Sequence, residues 1–172
     1  MLLSLNAFAQ NDVTKFLGIP VDGSKQDMIK KIEAKGFKYD KANDFLEGEF
    51  NGRNVYVMVG TIRNKVYRIA VADKDVTRSE SQIRIRFNSL CNQFSNSSKY
   101  VAFEGKDFKI SDDEDITYEM AVNDKSYQAT FFQIPDPDRK KCVWFTIFKN
   151  YGEYSICIYY DNIYNQNTDD DI

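Results

Sequence analysis

Histidine is absent from the 172 residues. The commonest general acid–base side chain is therefore missing, and so is the commonest transition-metal ligand. Ser-His-Asp and Cys-His nucleophile machinery is excluded outright. Cysteine is scarce, with only Cys91, Cys142 and Cys157, and none shows zinc-site spacing. The eight glycines form no phosphate-binding loop or nucleophile elbow. After residue 10 no apolar run approaches the roughly 18–20 residues of a transmembrane helix. No basic footprint for nucleic acid exists: 23 Lys and Arg are scattered among 26 Asp and Glu, for a net charge of −3. These absences imply no cofactor, no metal site and no catalytic residues, and they make a non-enzymatic role the expectation.

What is present is apolar and aromatic. Thirteen Phe and eleven Tyr within a 42% hydrophobic chain describe an ordered globule rather than a disordered segment. A chain this long buries about two-thirds of its unfolded surface. The first residues, Met1 to Gln10, read as the back half of a secretory signal. Leu2, Leu3 and Leu5 end an apolar stretch, and Ala7 and Ala9 occupy the −3 and −1 positions of an A-x-A cleavage site. No Lys or Arg precedes Lys15, so Met1 is read as internal to a longer leader. The expected organisation is a signal remnant at 1–9, one domain at 10–164 and an acidic flexible tail at 165–172. The expected location is periplasmic or secreted.

Along the chain, an extended stretch runs from Phe16 to the Asp22-Gly23 turn, with Pro20 holding Ile19 out of helical space. Ser24 is an N-cap, Met28, Ile29 and Ile32 form a short apolar stripe, and Gly36 ends the helix. Asn51-Gly52 signals a type I′ hairpin between strands at 45–50 and 53–60, and a turn at Arg63-Asn64 leads to a strand at 65–72. Tyr56 and Met58 are set on one face of their strand and Val55, Val57 and Val59 on the other. Tyr67, Ile69 and Val71 of the next strand are read on the same side as Tyr56 and Met58, opposite the three valines. Both faces are apolar, so cover on both sides is expected.

Ser79 and Gln82 form a capping box before a second helix. Its stripe is Ile83, Phe87, Leu90, Cys91 and Phe94, with Arg84 and Arg86 off it. A short strand near 100–103 and the acidic loop Ser111 to Asp115 follow. Strands at 117–122 and 126–134 are expected around an Asn123-Asp124-Lys125 turn. A rigid Pro135-Asp136-Pro137-Asp138 loop then precedes the strongest hairpin, 142–149 with 154–160, turning at Tyr151-Gly152. The order suggests an α+β fold: an antiparallel sheet with two helices, and a helix-plus-sheet repeat at 24–73 and 79–162.

Pairing Lys149 with Tyr154 sets Val143, Phe145, Ile147, Ile156, Ile158 and Tyr160 on one core face. The opposite face carries Cys142, Trp144, Thr146, Phe148, Ser155, Cys157 and Tyr159. In this register Cys142 and Cys157 stand roughly 13 Å apart at the usual strand rise, beyond the ~7 Å reach of a disulfide. Three unpaired thiols are expected. Trp144, Phe148 and Tyr159 are the candidate binding residues, since aromatics concentrate at interface hot spots. Asp112 to Asp115 lacks EF-hand spacing and reads as a solvated loop. Asp136 and Asp138 are similarly weak, and Glu47 and Glu49 read as partners for nearby bases.

The pattern Phe16-Leu17-Gly18-Ile19-Pro20-Val21-Asp22-Gly23-Ser24, with Lys35-Gly36-Phe37, Leu46-Glu47-Gly48-Glu49-Phe50, Val66-Tyr67-Arg68-Ile69 and Val143-Trp144-Phe145, resembles uncharacterised exported proteins of Bacteroidetes-type bacteria. The element order is also similar to that of β-lactamase-inhibitor-protein-like tandem folds and small outer-membrane assembly modules. Those are binding proteins, and the likeness is one of topology. It implies an exported interaction module that binds a protein or envelope component through a sheet face or loops. The alternative is a periplasmic small-molecule or ion-binding protein.

Overall fold

The structure is a computed structural model and describes residues 12–166. The Ala7/Ala9 cleavage pattern and residues 167–172 of the acidic tail lie outside the described residues.

The first described element is a hairpin, β1 (Lys15–Phe16) with β2 (Ile19–Pro20), where only an extended stretch was expected. Its turn sets both Leu17 and Gly18 at positive φ, 52° and 78°, the type I′ geometry that matches strand twist. Helix α1 (Lys25–Glu33) starts where the Ser24 side chain accepts from the Asp27 amide, and it buries Met28, Ile29 and Ile32. Gly36 at φ 98° ends it. Phe37 then folds back over Gly48, where any Cβ would overlap the Phe37 ring.

The strands β3 (Lys38–Asp40), β4 (Phe45–Phe50), β5 (Arg53–Ile62) and β6 (Lys65–Asp73) form an antiparallel meander. Helix α2 (Glu80–Ser95) follows, capped by Ser79, which accepts from the Gln82 amide. The Gln82 side chain leaves the expected capping box and accepts from Thr77 Oγ1 at 2.7 Å. The chain continues through β7 (Tyr100–Ala102), α3 (Ile116–Val122), β8 (Gln128–Gln133), β9 (Cys142–Asn150), β10 (Glu153–Asp161) and α4 (Ile163–Gln166).

The eight strands from β3 to β10 make one antiparallel sheet in the order β3-β4-β5-β6-β10-β9-β8-β7. Each half of the chain supplies four strands of this sheet, and the final strands of the two halves, β6 and β10, pair at the centre. Ile158 opposes Val71 and Tyr160 opposes Ile69, so the apolar side chains of both halves point the same way. The last hairpin has the expected register, with Lys149 opposite Tyr154 and Ile147 opposite Ile156. Both α1 and α2 pack on this apolar face, and one continuous core joins them. Its aromatic centre includes Phe87, Phe94, Phe131 and Phe145, whose neighbouring rings lie 5.1 to 6.0 Å apart.

Four expectations need correction. The segment expected as a strand at 117–122 is helix α3. Asp115 caps it by accepting from the Tyr118 amide, and Glu80 accepts from the amides of Ile116 and Thr117. Its β-branched and aromatic residues suggested a strand, but Ile116 and Met120 at i and i+4 face the core. With α4, the helices therefore number four among the described residues rather than two. Residues 165 and 166 belong to α4 rather than a loose tail: Asn165 Nδ2 donates to Val66 O at 2.8 Å and Asp22 Oδ1 at 2.9 Å.

The third correction concerns the faces of β6. The register passes from Gly60↔Arg68 to Thr61↔Val66, leaving Tyr67 as a bulge. Ile69 and Val71 therefore share the helix-covered face with Val55, Val57 and Val59. The other face carries Arg68, Ala70 and Ala72 beside Tyr56 and Met58, and neither α1 nor α2 lies over it.

The fourth concerns Arg86, expected outside the apolar stripe of α2. It lies three residues after Ile83 and four before Leu90, so it flanks that stripe and is only 7% exposed. Its Nε and Nη2 each donate to Asp73 at 2.9 Å, tying α2 to the end of β6. Removing one partner strands a buried charge. Arg86→Ala is expected to lower unfolding free energy by roughly 3–5 kcal/mol, while an Arg86→Met/Asp73→Leu pair recovers most of it. Urea unfolding measures both. A loss below about 1 kcal/mol, the range of exposed pairs, would show that the pair is solvated.

Candidate functional site

The open face of the sheet takes its shape from strand register. Across it, Met58, Ala70, Tyr159, Trp144 and Thr130 form one row. Glu47, Tyr56, Ala72, Cys157, Thr146 and Gln128 form the next. The two alanines on β6 leave a strip of low relief down the middle. Larger side chains rise on either side of it.

On the β10 side, Trp144 and Tyr159 stack with ring centroids 4.2 Å apart at 24°. Arg68 completes the group. Its Cζ lies 4.9 Å from the Tyr159 centroid and 5.4 Å from that of Trp144, within cation–π range. Asp161 holds Arg68 and Trp144 in place. Its Oδ1 accepts from Arg68 Nε at 2.6 Å, and its Oδ2 accepts from Arg68 Nη2 at 2.9 Å and Trp144 Nε1 at 2.8 Å. Thr14 Oγ1 donates to the Asp161 carbonyl. The Asp161 carboxylate is nearly buried, with 8% of its side chain exposed, and a bidentate guanidinium offsets the cost of burying it. Its hydrogen bond pushes the Arg68 pKa upward, and burial pushes that of Tyr159 upward.

On the β5 side, Phe45 and Tyr56 meet edge to face at 4.6 Å. Lys74 Nζ lies 5.2 Å from the Tyr56 ring and 3.3 Å from Glu47 Oε2. Met58 is 39% exposed at the rim of the alanine strip.

The structure thus brings together two of the three expected binding residues, Trp144 and Tyr159. Phe148 shares their face but pairs with Ser155, four residues along β9 from Trp144, and is 44% exposed. Arg68 and Asp161 were missed. The Tyr67 bulge conceals the outward turn of Arg68. Asp161 had a signal, since the hairpin register already placed it beyond Tyr160 on the Trp144 side.

Arg68 remains cationic, and Asp161 is committed to three donors. The group therefore presents flat rings and a guanidinium edge rather than a proton-transfer pair. Two of the other acidic candidates, Glu114 and Asp136, have structural partners. Glu114 accepts from Tyr127 at 2.5 Å and also contacts Lys125, and Asp136 accepts from the Lys141 amide at 2.6 Å. Among the described residues no group of three or more Cys, Asp or Glu side chains is placed to hold a metal ion.

Comparison with family models, with curated proteins and with solved structures found no match. Residue roles therefore rest on this geometry.

All three cysteines are free. Burial pushes the thiols of Cys91 and Cys142 up to about 12 and that of Cys157 up to about 11. They stay protonated near neutrality, and the thiol is the unreactive form. Ellman's reagent at pH 8 is expected to label the native protein slowly and three thiols per chain once urea unfolds it. Fast labelling of more than one thiol in the native protein would contradict the burial of Cys91 and Cys157.

Proposed function

We propose that the protein is an exported interaction module whose open sheet face binds a polypeptide partner. The observation that carries this reading is the Trp144–Tyr159 stack, held with Arg68 by Asp161 beside the Ala70–Ala72 strip. Trp, Tyr and Arg are the side chains most enriched at binding hot spots. Here they are fixed before any partner arrives, which reduces the ordering cost of association. The alanine strip gives an extended segment room to approach the sheet, with Met58 and Tyr56 as its far wall. Arg68 keeps N–H donors beyond the two given to Asp161, so a partner carbonyl or carboxylate near the stack completes the match. Export rests on the A-x-A pattern at Ala7 and Ala9. A binding role also fits the resemblance in element order, read from the sequence, to β-lactamase-inhibitor-protein-like folds, which assigns no residue.

A photo-crosslinking residue at Met58 or Phe148 tests the face in the producing cell, with the same residue at Ile85, 68% exposed on α2, as control. Discrete protein adducts are expected from positions 58 and 148 and not from 85. Adducts of equal strength at all three positions, or none at 58 and 148, would overturn the assignment.

A further inference from the structure

A second concavity lies at one end of the sheet, remote in character from the open face. Its volume is about 600 Å³, within the range of small-ligand sites. Three separate stretches of chain enclose it: the β1–β2 hairpin, the segment after α2, and the loop around the cis Ile134–Pro135 bond. Gln133 holds the mouth in shape. Its Oε1 accepts from the Lys15 amide at 2.7 Å, and its Nε2 donates to the Lys15 carbonyl at 2.6 Å and to Tyr100 Oη at 3.2 Å.

The floor is apolar and aromatic. Phe50 and Tyr160 line it, packed on buried Phe16 at 5.4 and 5.1 Å. Ile134 and Pro135 add a wall. The charge is unlike that of the whole chain. Among the described lining residues, three lysines (Lys15, Lys99 and Lys141) face one acid, Asp12, in a protein of net charge −3.

Lys141 is the decisive group. Its side chain is 7% exposed, yet its ammonium is met by the Asp12 carboxylate, 60% exposed, at 2.6 Å. Lys15 Nζ stands 3.9 Å from the other Asp12 oxygen. An ammonium has three donors, and Asp12 shows how a carboxylate sits between these lysines. A buried cation whose carboxylate partner among the described residues is itself exposed gains most from a second carboxylate arriving with its own apolar body.

We propose that this cavity binds a small organic anion, with its carboxylate among Lys15, Lys99 and Lys141 and its apolar body over Phe50 and Tyr160. The test uses the full chain and three probes: 4-phenylbutyrate, its uncharged amide 4-phenylbutanamide, and acetate. Titrations are followed by calorimetry and by amide NMR shifts. Saturable binding of 4-phenylbutyrate is expected with a dissociation constant of about 1 mM or tighter, with shifts centred on Gln133, Lys141 and Tyr160. The amide and acetate are each expected to bind about tenfold more weakly. The exposed-lysine variant Lys15→Ala/Lys99→Ala retains the fold and is expected to weaken 4-phenylbutyrate about fivefold. Met58→Ser on the open face leaves this affinity unchanged, so the two sites fail or succeed separately. Absence of saturation, equal binding of acid and amide, or shifts centred elsewhere would each overturn the proposal.

Discussion

The antiparallel pairing of β6 with β10 is the contact on which the rest of the structure depends. It joins two half-sheets that are otherwise far apart in sequence, and it sets which way every side chain points. With Ile69 opposite Tyr160 and Val71 opposite Ile158, the apolar faces of both halves coincide. Helices α1 and α2 then share one core. A slip of one residue would send Val71 and Ile69 to the opposite face and break that core in two.

The same pairing builds the other face. It sets Asp161 beside Arg68, Tyr159 beside Ala70 and Cys157 beside Ala72. One strand thus supplies the guanidinium and the low strip, and its neighbour supplies the carboxylate and an aromatic wall. Asp161 serves both sides of the architecture. Its carboxylate orients Arg68 and Trp144, while its carbonyl anchors Thr14 of the N-terminal arm. That arm in turn closes the lysine-lined cavity. The open face and the cavity are therefore separate surfaces built on one central seam.

Local signals made much of this legible in the sequence. Ser24, Gly36, Asn51-Gly52, Ser79 and Tyr151-Gly152 mark their boundaries because capping and turn chemistry are short-range. The face pattern of β9 and β10 follows from strict alternation. Legibility ends where long-range contacts override local pattern. The bulge at Tyr67 reverses the reading of β6 without any glycine or proline inside the strand to announce it. Helix α3 has strand-like composition and is held by Glu80, 36 residues from Ile116. Arg86 is charged, and only Asp73 across the core explains its burial. The cavity joins residues near positions 15, 99 and 141, a coincidence that no local spacing can encode.

Hydrogen exchange across the seam tests this account most directly. If β6–β10 pairing couples the two halves, the amides of residues 69–72 and 157–160 exchange slowest of all. They do so only through global unfolding, at one common free energy. Exchange at the seam faster than in the flanking strands β5 and β9, with the two halves opening separately, would contradict it.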